Sequence, residues 1–87
     1  MPDYDLRLDL IALAHHLLPP GWRASKRGNY YRNLRDGRRL VAYERRELWY
    51  WLVDDAGVAR YSPRGWPTAG EAAEAAEAAA RLDGGER

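Results

Sequence analysis

The stretch LWYWLVDD, residues 48–55, determines the fold because it is apolar on both sides of a strand. Successive side chains of a strand point to opposite faces of a sheet, so a half-buried strand alternates apolar and polar residues. The apolar side chains here divide into two sets, namely Leu48, Tyr50 and Leu52 on one face and Trp49, Trp51 and Val53 on the other. This pattern predicts a central strand whose second face needs either a cover or a partner.

The segments around this strand predict an antiparallel meander. Asp36-Gly37 separates two alternating runs, and an Asp-Gly pair favours a two-residue type I′ hairpin turn because that turn needs positive φ. Asp54 to Gly57 form a second turn signal, and a tight turn is expected near Arg45–Glu47. The predicted strands are residues 22–25, 30–35, 38–45, 48–55 and 58–62.

Two helices are predicted to flank the meander. Residues 4–18 place leucines at helical spacing, and Pro19-Pro20 ends that segment because proline lacks a backbone donor. Residues 68–82 are rich in alanine, and Thr68 followed by Glu71 forms a capping-box pattern. The chain of 87 residues therefore predicts one α+β domain over 1–82, with three to five strands, the C-terminal helix packed on the sheet, and a disordered tail over 83–87.

Turns of two or four residues would fix which side chains share a face. The predicted core face holds Tyr30, Arg32, Leu34, Arg39, Val41, Tyr43, Leu48, Tyr50, Leu52, Ala59 and Tyr61. The other face holds Tyr31, Asn33, Arg35, Arg38, Leu40, Ala42, Glu44, Trp49, Trp51, Val53, Val58 and Arg60. That second face is interpreted as an aromatic and basic platform for a partner, as a buried structural face, or as a homodimer seam.

The charge is concentrated in the middle of the chain. Residues 22–46 carry nine basic against two acidic groups, a net charge of +7 (9 − 2), whereas the whole chain carries +1. Such clustering predicts one positively charged surface. The candidate binding residues are Arg23, Lys26, Arg27, Arg35, Arg38 and Arg60 for phosphates, with Tyr31, Trp49 and Trp51 for bases. An acidic protein surface is the alternative partner for the same residues.

Catalysis has little support in the sequence. Cysteine is absent, and His15 and His16 are adjacent, so they point apart on a helix and do not form a zinc pair. Asp54-Asp55 is more simply explained as part of a turn, and no nucleotide-binding loop is present. We therefore expect a non-enzymatic protein without metal or cofactor. No apolar run reaches the roughly 20 residues of a membrane span, which favours a cytoplasmic location without membrane contact.

The order of a basic meander, a Trp-rich strand and YSPRGWPTAGEAAEAA (61–76) resembles small sheet-plus-helix DNA-binding domains. Plant AP2-type domains and the arm-binding domains of phage integrases share this plan, which extends here over roughly residues 30–80. The resemblance implies DNA contacts from Arg35, Arg38, Trp49, Trp51 and Arg60. The helix–sheet–helix order is also similar to double-stranded RNA-binding domains, but Gly70–Glu74 lacks their lysine cluster.

The predicted function is thus binding through a basic, aromatic sheet face, with nucleic acid favoured. In size and composition the chain also resembles small phage and mobile-element proteins, so inhibition of a host or defence protein is the second hypothesis. A structural homodimer joined through the Trp face is the third.

Overall fold

The computed structural model describes residues 18–84, which form one five-stranded antiparallel sheet and one helix. The strands β1 (Arg23–Ala24), β2 (Tyr30–Asn33), β3 (Arg39–Arg45), β4 (Leu48–Asp55) and β5 (Val58–Tyr61) neighbour one another in chain order, followed by α1 (Ala69–Gly84). The α+β class and the meander are confirmed. The predicted N-terminal helix over 4–18 lies outside the described residues except for Leu18, as does the end of the predicted tail, 85–87. The helix itself continues through Gly84, two residues beyond its predicted end.

Two of the hairpins have the tight turns that the sequence predicts. Arg46 and Glu47, with φ of 55° and 70°, connect β3 to β4, and Ala56 and Gly57, with φ of 53° and 88°, connect β4 to β5. Positive φ at both central residues is the type I′ geometry, whose twist matches that of the strands. The predicted facing of β3, β4 and β5 relative to one another is therefore confirmed.

The β2–β3 hairpin differs from its prediction by one residue. Its loop is Arg35-Asp36-Gly37, closed by the N–H of Leu34 donating to the C=O of Arg38 at 2.8 Å. Gly37 alone in this loop has positive φ, 95°, which is typical of a three-residue turn ending in a glycine bulge. The one-residue change turns β2 over relative to β3, so that Arg32 lies beside Leu40 and Tyr31 beside Val41.

Helix α1 packs on the face of the sheet that was predicted not to be the core, so of its three interpretations the buried structural face is the one that the structure shows. Leu40 and Ala42 are fully buried, Trp51 is 6% exposed and Val53 is 4% exposed. They pack with buried alanines of α1, which include Ala76, Ala79 and Ala80. The predicted choice of core face was wrong, because the short alanine side chains leave room under the helix for the indole of Trp51, which buries more area than any aliphatic side chain.

Polar contacts fix α1 at its beginning, middle and end. The N–H of Glu71 donates to Thr68 Oγ1 at 3.2 Å, which caps the first turn. Glu77 accepts from Trp22 Nε1 at 2.9 Å and forms an ion pair with Arg32 of β2. Arg38 Nη1 donates to the C=O of Ala80 at 3.0 Å. The contacts of Glu77 join the β1–β2 side of the sheet to a helix that packs mainly on β3 and β4.

We expect Leu40→Ala to lower the free energy of unfolding by about 2–5 kcal/mol, because it opens a cavity between the sheet and α1. Leu82→Ala is the matched control, since Leu82 is 75% exposed on the same helix and its truncation should change stability by less than about 0.5 kcal/mol. Urea unfolding of both variants measures the difference. Equal effects would contradict the assignment of the buried face.

Candidate binding surface

The face of the sheet opposite α1 carries a continuous set of aromatic and aliphatic side chains. Cross-strand pairing places Tyr31, Val41, Leu52 and Tyr61 in one row across four strands, and Tyr43 beside Tyr50 in the next row. We call these six residues the tyrosine face. Within residues 18–84, no helix or strand packs on it, and Tyr61 is 61% exposed.

The tyrosines at one end of this face interact with one another. The rings of Tyr43 and Tyr50 are stacked, with centroids 5.8 Å apart and an interplanar angle of 23°. Burial raises the pKa of Tyr43 above its ordinary value, and the neighbouring hydroxyl of Tyr61 raises that pKa further. This end of the tyrosine face therefore favours the neutral, protonated form of the Tyr43 phenol.

The other end of the tyrosine face opens into a basic hollow. The hollow has a volume of about 460 Å³ and is lined by Ser25, Lys26, Arg27, Asn29, Tyr31, Asn33, Arg39 and Val41. Ser25 shapes its rim, because its Oγ accepts from the backbone N–H of Arg27 at 3.3 Å and of Asn29 at 3.1 Å. The β1–β2 turn thereby holds Lys26 and Arg27 at the edge of the sheet.

Arg39 is oriented within the hollow by its neighbours. Its Nε donates to Asn33 Oδ1 at 2.8 Å, across the β2–β3 pair. Its Cζ lies 5.7 Å from the centroid of the Tyr31 ring. The hydrogen bond uses Nε, so the two terminal nitrogens of the guanidinium have donors to offer a ligand.

Four of the nine predicted site residues lie on or near this surface. Lys26, Arg27 and Tyr31 line the hollow. Arg23 pairs with Tyr31, so its side chain lies on the same face. Arg35 is exposed in the β2–β3 loop.

The other four predicted residues lie on the α1 side, and the prediction that Trp49 and Trp51 form an open platform was wrong. Trp51 is buried beneath α1, and Trp49 is half-buried against Tyr30 with ring centroids 5.6 Å apart. Arg60 lies with its Cζ 5.9 Å from the Trp51 ring centroid. Because α1 packs on Trp51, a homodimer would have to use a face other than the predicted one.

Arg38 is the fourth of these residues and is held in the structure by two partners. Besides its bond to the C=O of Ala80, its Nε donates to Asp36 Oδ2 at 2.8 Å. These contacts with Arg38 lower the pKa of the Asp36 carboxyl. Arg38 therefore ties the hairpin loop to the end of α1.

The candidate residues predicted from the sequence did not include Asn33, Arg39, Tyr43 and Tyr50, which the structure places on the tyrosine face or in the hollow. The last three belonged to the set predicted as core, and Asn33 was placed on the other face from Arg39. A signal for Asn33 and Arg39 was present in the glycine at position 37, which also suits a three-residue turn and would have placed them side by side.

Charge differs between the two sides of the molecule. Near the tyrosine face lie Arg23, Lys26, Arg27, Arg39 and Arg45, with Asp54 as the carboxylate that pairs across from Arg39. The outer surface of α1 exposes Glu71 and Glu74 instead. An anionic ligand is therefore attracted to the tyrosine face and repelled by the helix.

Neither metal-site nor membrane-spanning features occur in the part of the chain that the structure describes. Within residues 18–84, no three side chains of the metal-binding types His, Cys, Asp and Glu come together. The single helix of that range does not combine the length and apolar character needed to cross a membrane.

Comparison with known proteins finds no matching family model, no matching curated protein and no matching solved structure.

We expect Tyr43 to titrate above the ordinary tyrosine pKa of 10.0, and Tyr61→Phe to lower its pKa by removing the neighbouring hydroxyl. Since the folded state holds this proton more tightly than the unfolded state, the stabilisation is complete below the unfolded pKa and is lost as pH rises through the folded pKa. Titration of the tyrosine Cζ resonances by ¹³C NMR measures both effects. A Tyr43 midpoint at or below the free tyrosine value would contradict the assignment.

Proposed function

We propose that this protein is a non-enzymatic binding module that binds nucleic acid through the tyrosine face and the basic hollow. The observation that carries the proposal is the position of Lys26, Arg27 and Arg39 around Tyr31 in one hollow of about 460 Å³. Phosphates are bound by arginine and lysine, and bases stack on aromatic rings. Both kinds of group stand together on this surface.

The distribution of charge supports the same proposal. The basic side chains concentrate at the β1–β2 turn and on β3, while Glu71 and Glu74 are exposed on α1 and Glu44 and Glu47 are exposed at the β3–β4 end of the sheet. A polyanion approaching the molecule is steered to the hollow by this asymmetry. Most of the basic residues there are arginines, which form bidentate contacts with phosphate oxygens.

The resemblance to sheet-plus-helix DNA-binding domains suits this arrangement in outline. A helix packs behind an antiparallel sheet, and the sheet face away from the helix holds the candidate contacts. The proposed contact residues differ from those that the resemblance implied, because Trp49, Trp51 and Arg60 lie on the α1 side.

An acidic protein is the second candidate partner, in line with a small inhibitor from a phage or mobile element. The row of Tyr31, Val41, Leu52 and Tyr61 favours it, because tyrosines around an apolar centre are typical of protein interfaces. We favour nucleic acid over an acidic protein as the partner because cations are concentrated in the hollow.

The test is a fluorescence-anisotropy titration of labelled mixed-sequence oligonucleotides, single-stranded and duplex, at several salt concentrations. We expect binding at 50 mM salt that weakens steeply as salt rises. The double variant Lys26→Gln/Arg27→Gln should lower the slope of log affinity against log salt by about 1.4 to 1.8, because two phosphate contacts are lost.

The matched control is Arg64→Gln/Arg81→Gln, which removes the same charge away from the hollow. Arg64 lies over Trp66 with its Cζ 4.1 Å from the ring centroid, and Arg81 is in the last turn of α1. This control should keep the slope of the unmodified protein. Absence of binding to every oligonucleotide at 50 mM salt would reject nucleic acid and leave the acidic protein partner as the working hypothesis.

A further inference from the structure

We infer that the basic hollow is a subsite for one unpaired nucleotide, so that the preferred ligand is a single strand rather than a duplex. This inference rests on the proposed function, because it specifies which form of nucleic acid the same surface takes. It depends on the shape of the hollow and on the way in which Tyr31, Asn33 and Arg39 are held there.

The hollow is a shallow depression that is open to solvent. Its volume of about 460 Å³ lies in the range of small-ligand sites and suits one nucleotide unit. A flexible single strand brings one base and its phosphate into the hollow together.

Tyr31 supplies the stacking surface in the lining of the hollow. It pairs with Val41 on β3 and with Arg23 on β1, and the guanidinium of Arg39 lies over its ring, which leaves the ring face away from Arg39 for a base. A base stacks on such a ring only when its own face is free. In a duplex that face is covered by the next base pair, so stacking on Tyr31 requires an unpaired base.

Asn33 and Arg39 supply polar contacts beside the ring. The 2.8 Å bond from Arg39 Nε to Asn33 Oδ1 fixes both side chains across the hairpin. The amide N–H groups of Asn33 and the terminal N–H groups of Arg39 then have donors for base-edge or phosphate oxygens. Lys26 and Arg27 at the rim suit the phosphate of the same nucleotide.

The experiment compares one labelled 12-nucleotide sequence as a single strand and as a duplex, in DNA and in RNA, against the full chain at 50 mM salt. The single strand should bind at least about tenfold more tightly than the duplex, because only the unpaired base stacks. Tyr31→Leu, which keeps the size and apolar character of the side chain, should weaken single-strand binding about 5- to 150-fold.

Tyr31→Phe is the matched control, since it keeps the ring and should bind the single strand within about twofold of the unmodified protein. Asn33→Ala provides a second test at an exposed position, where folding is little affected, and should weaken single-strand binding while leaving duplex binding unchanged. Equal or tighter binding of the duplex would overturn the inference and leave the proposed function standing. Equal losses in Tyr31→Leu and Tyr31→Phe would also overturn it, whereas no binding of either form would reject the proposed function itself.

Discussion

The close packing of α1 on β3 and β4 is the interaction on which the rest of the structure depends. Buried alanines such as Ala76 and Ala80 bring the helix backbone near the sheet, and Leu40, Trp51 and Val53 fill the space between them. A small domain buries a modest share of its surface, so one well-packed helix is the main source of its core. Because α1 occupies that side, a ligand of the sheet has to approach from the other.

The two faces of the sheet therefore have different roles although both are rich in aromatic residues. On the α1 side, polar groups bond to other groups of the protein, as Glu77 does with Trp22 and Arg32. The tyrosine face and the cations that line the hollow lie on the side of the sheet opposite α1. Buried tryptophan and partly exposed tyrosine are each suited to these settings, since the tyrosine hydroxyl is readily solvated at a surface.

Much of this architecture follows from local sequence signals, and the misses have physical causes. The capping pattern at Thr68 correctly predicted where the helix starts. The two-residue turns after Arg45 and Asp55 correctly predicted which side chains of β3, β4 and β5 share a face. The prediction of which β2 side chains lie on each face failed because Asp36-Gly37 is compatible with turns of two or three residues. One additional turn residue moves every side chain of the strand to the opposite face. The prediction of which face is buried failed because both faces of β4 are apolar. Hydrophobicity alone does not distinguish a large indole packed beneath alanines from an aliphatic core. Arg39 was consequently assigned to the core and not to the candidate surface.

The placement of the tryptophans also gives the protein an optical reporter of the α1 side. All four tryptophans lie on the α1 side: Trp51 and Trp49 on β4, Trp66 paired with Trp49, and Trp22 bonded to Glu77. Their emission will respond to detachment of the helix and is poorly placed to report occupancy of the opposite face. Tyr31, Tyr43 and Tyr61 lie on that face, whereas Tyr30 lies beside Trp49 on the α1 side. A change in tryptophan emission therefore reports the packing of α1 without any added label.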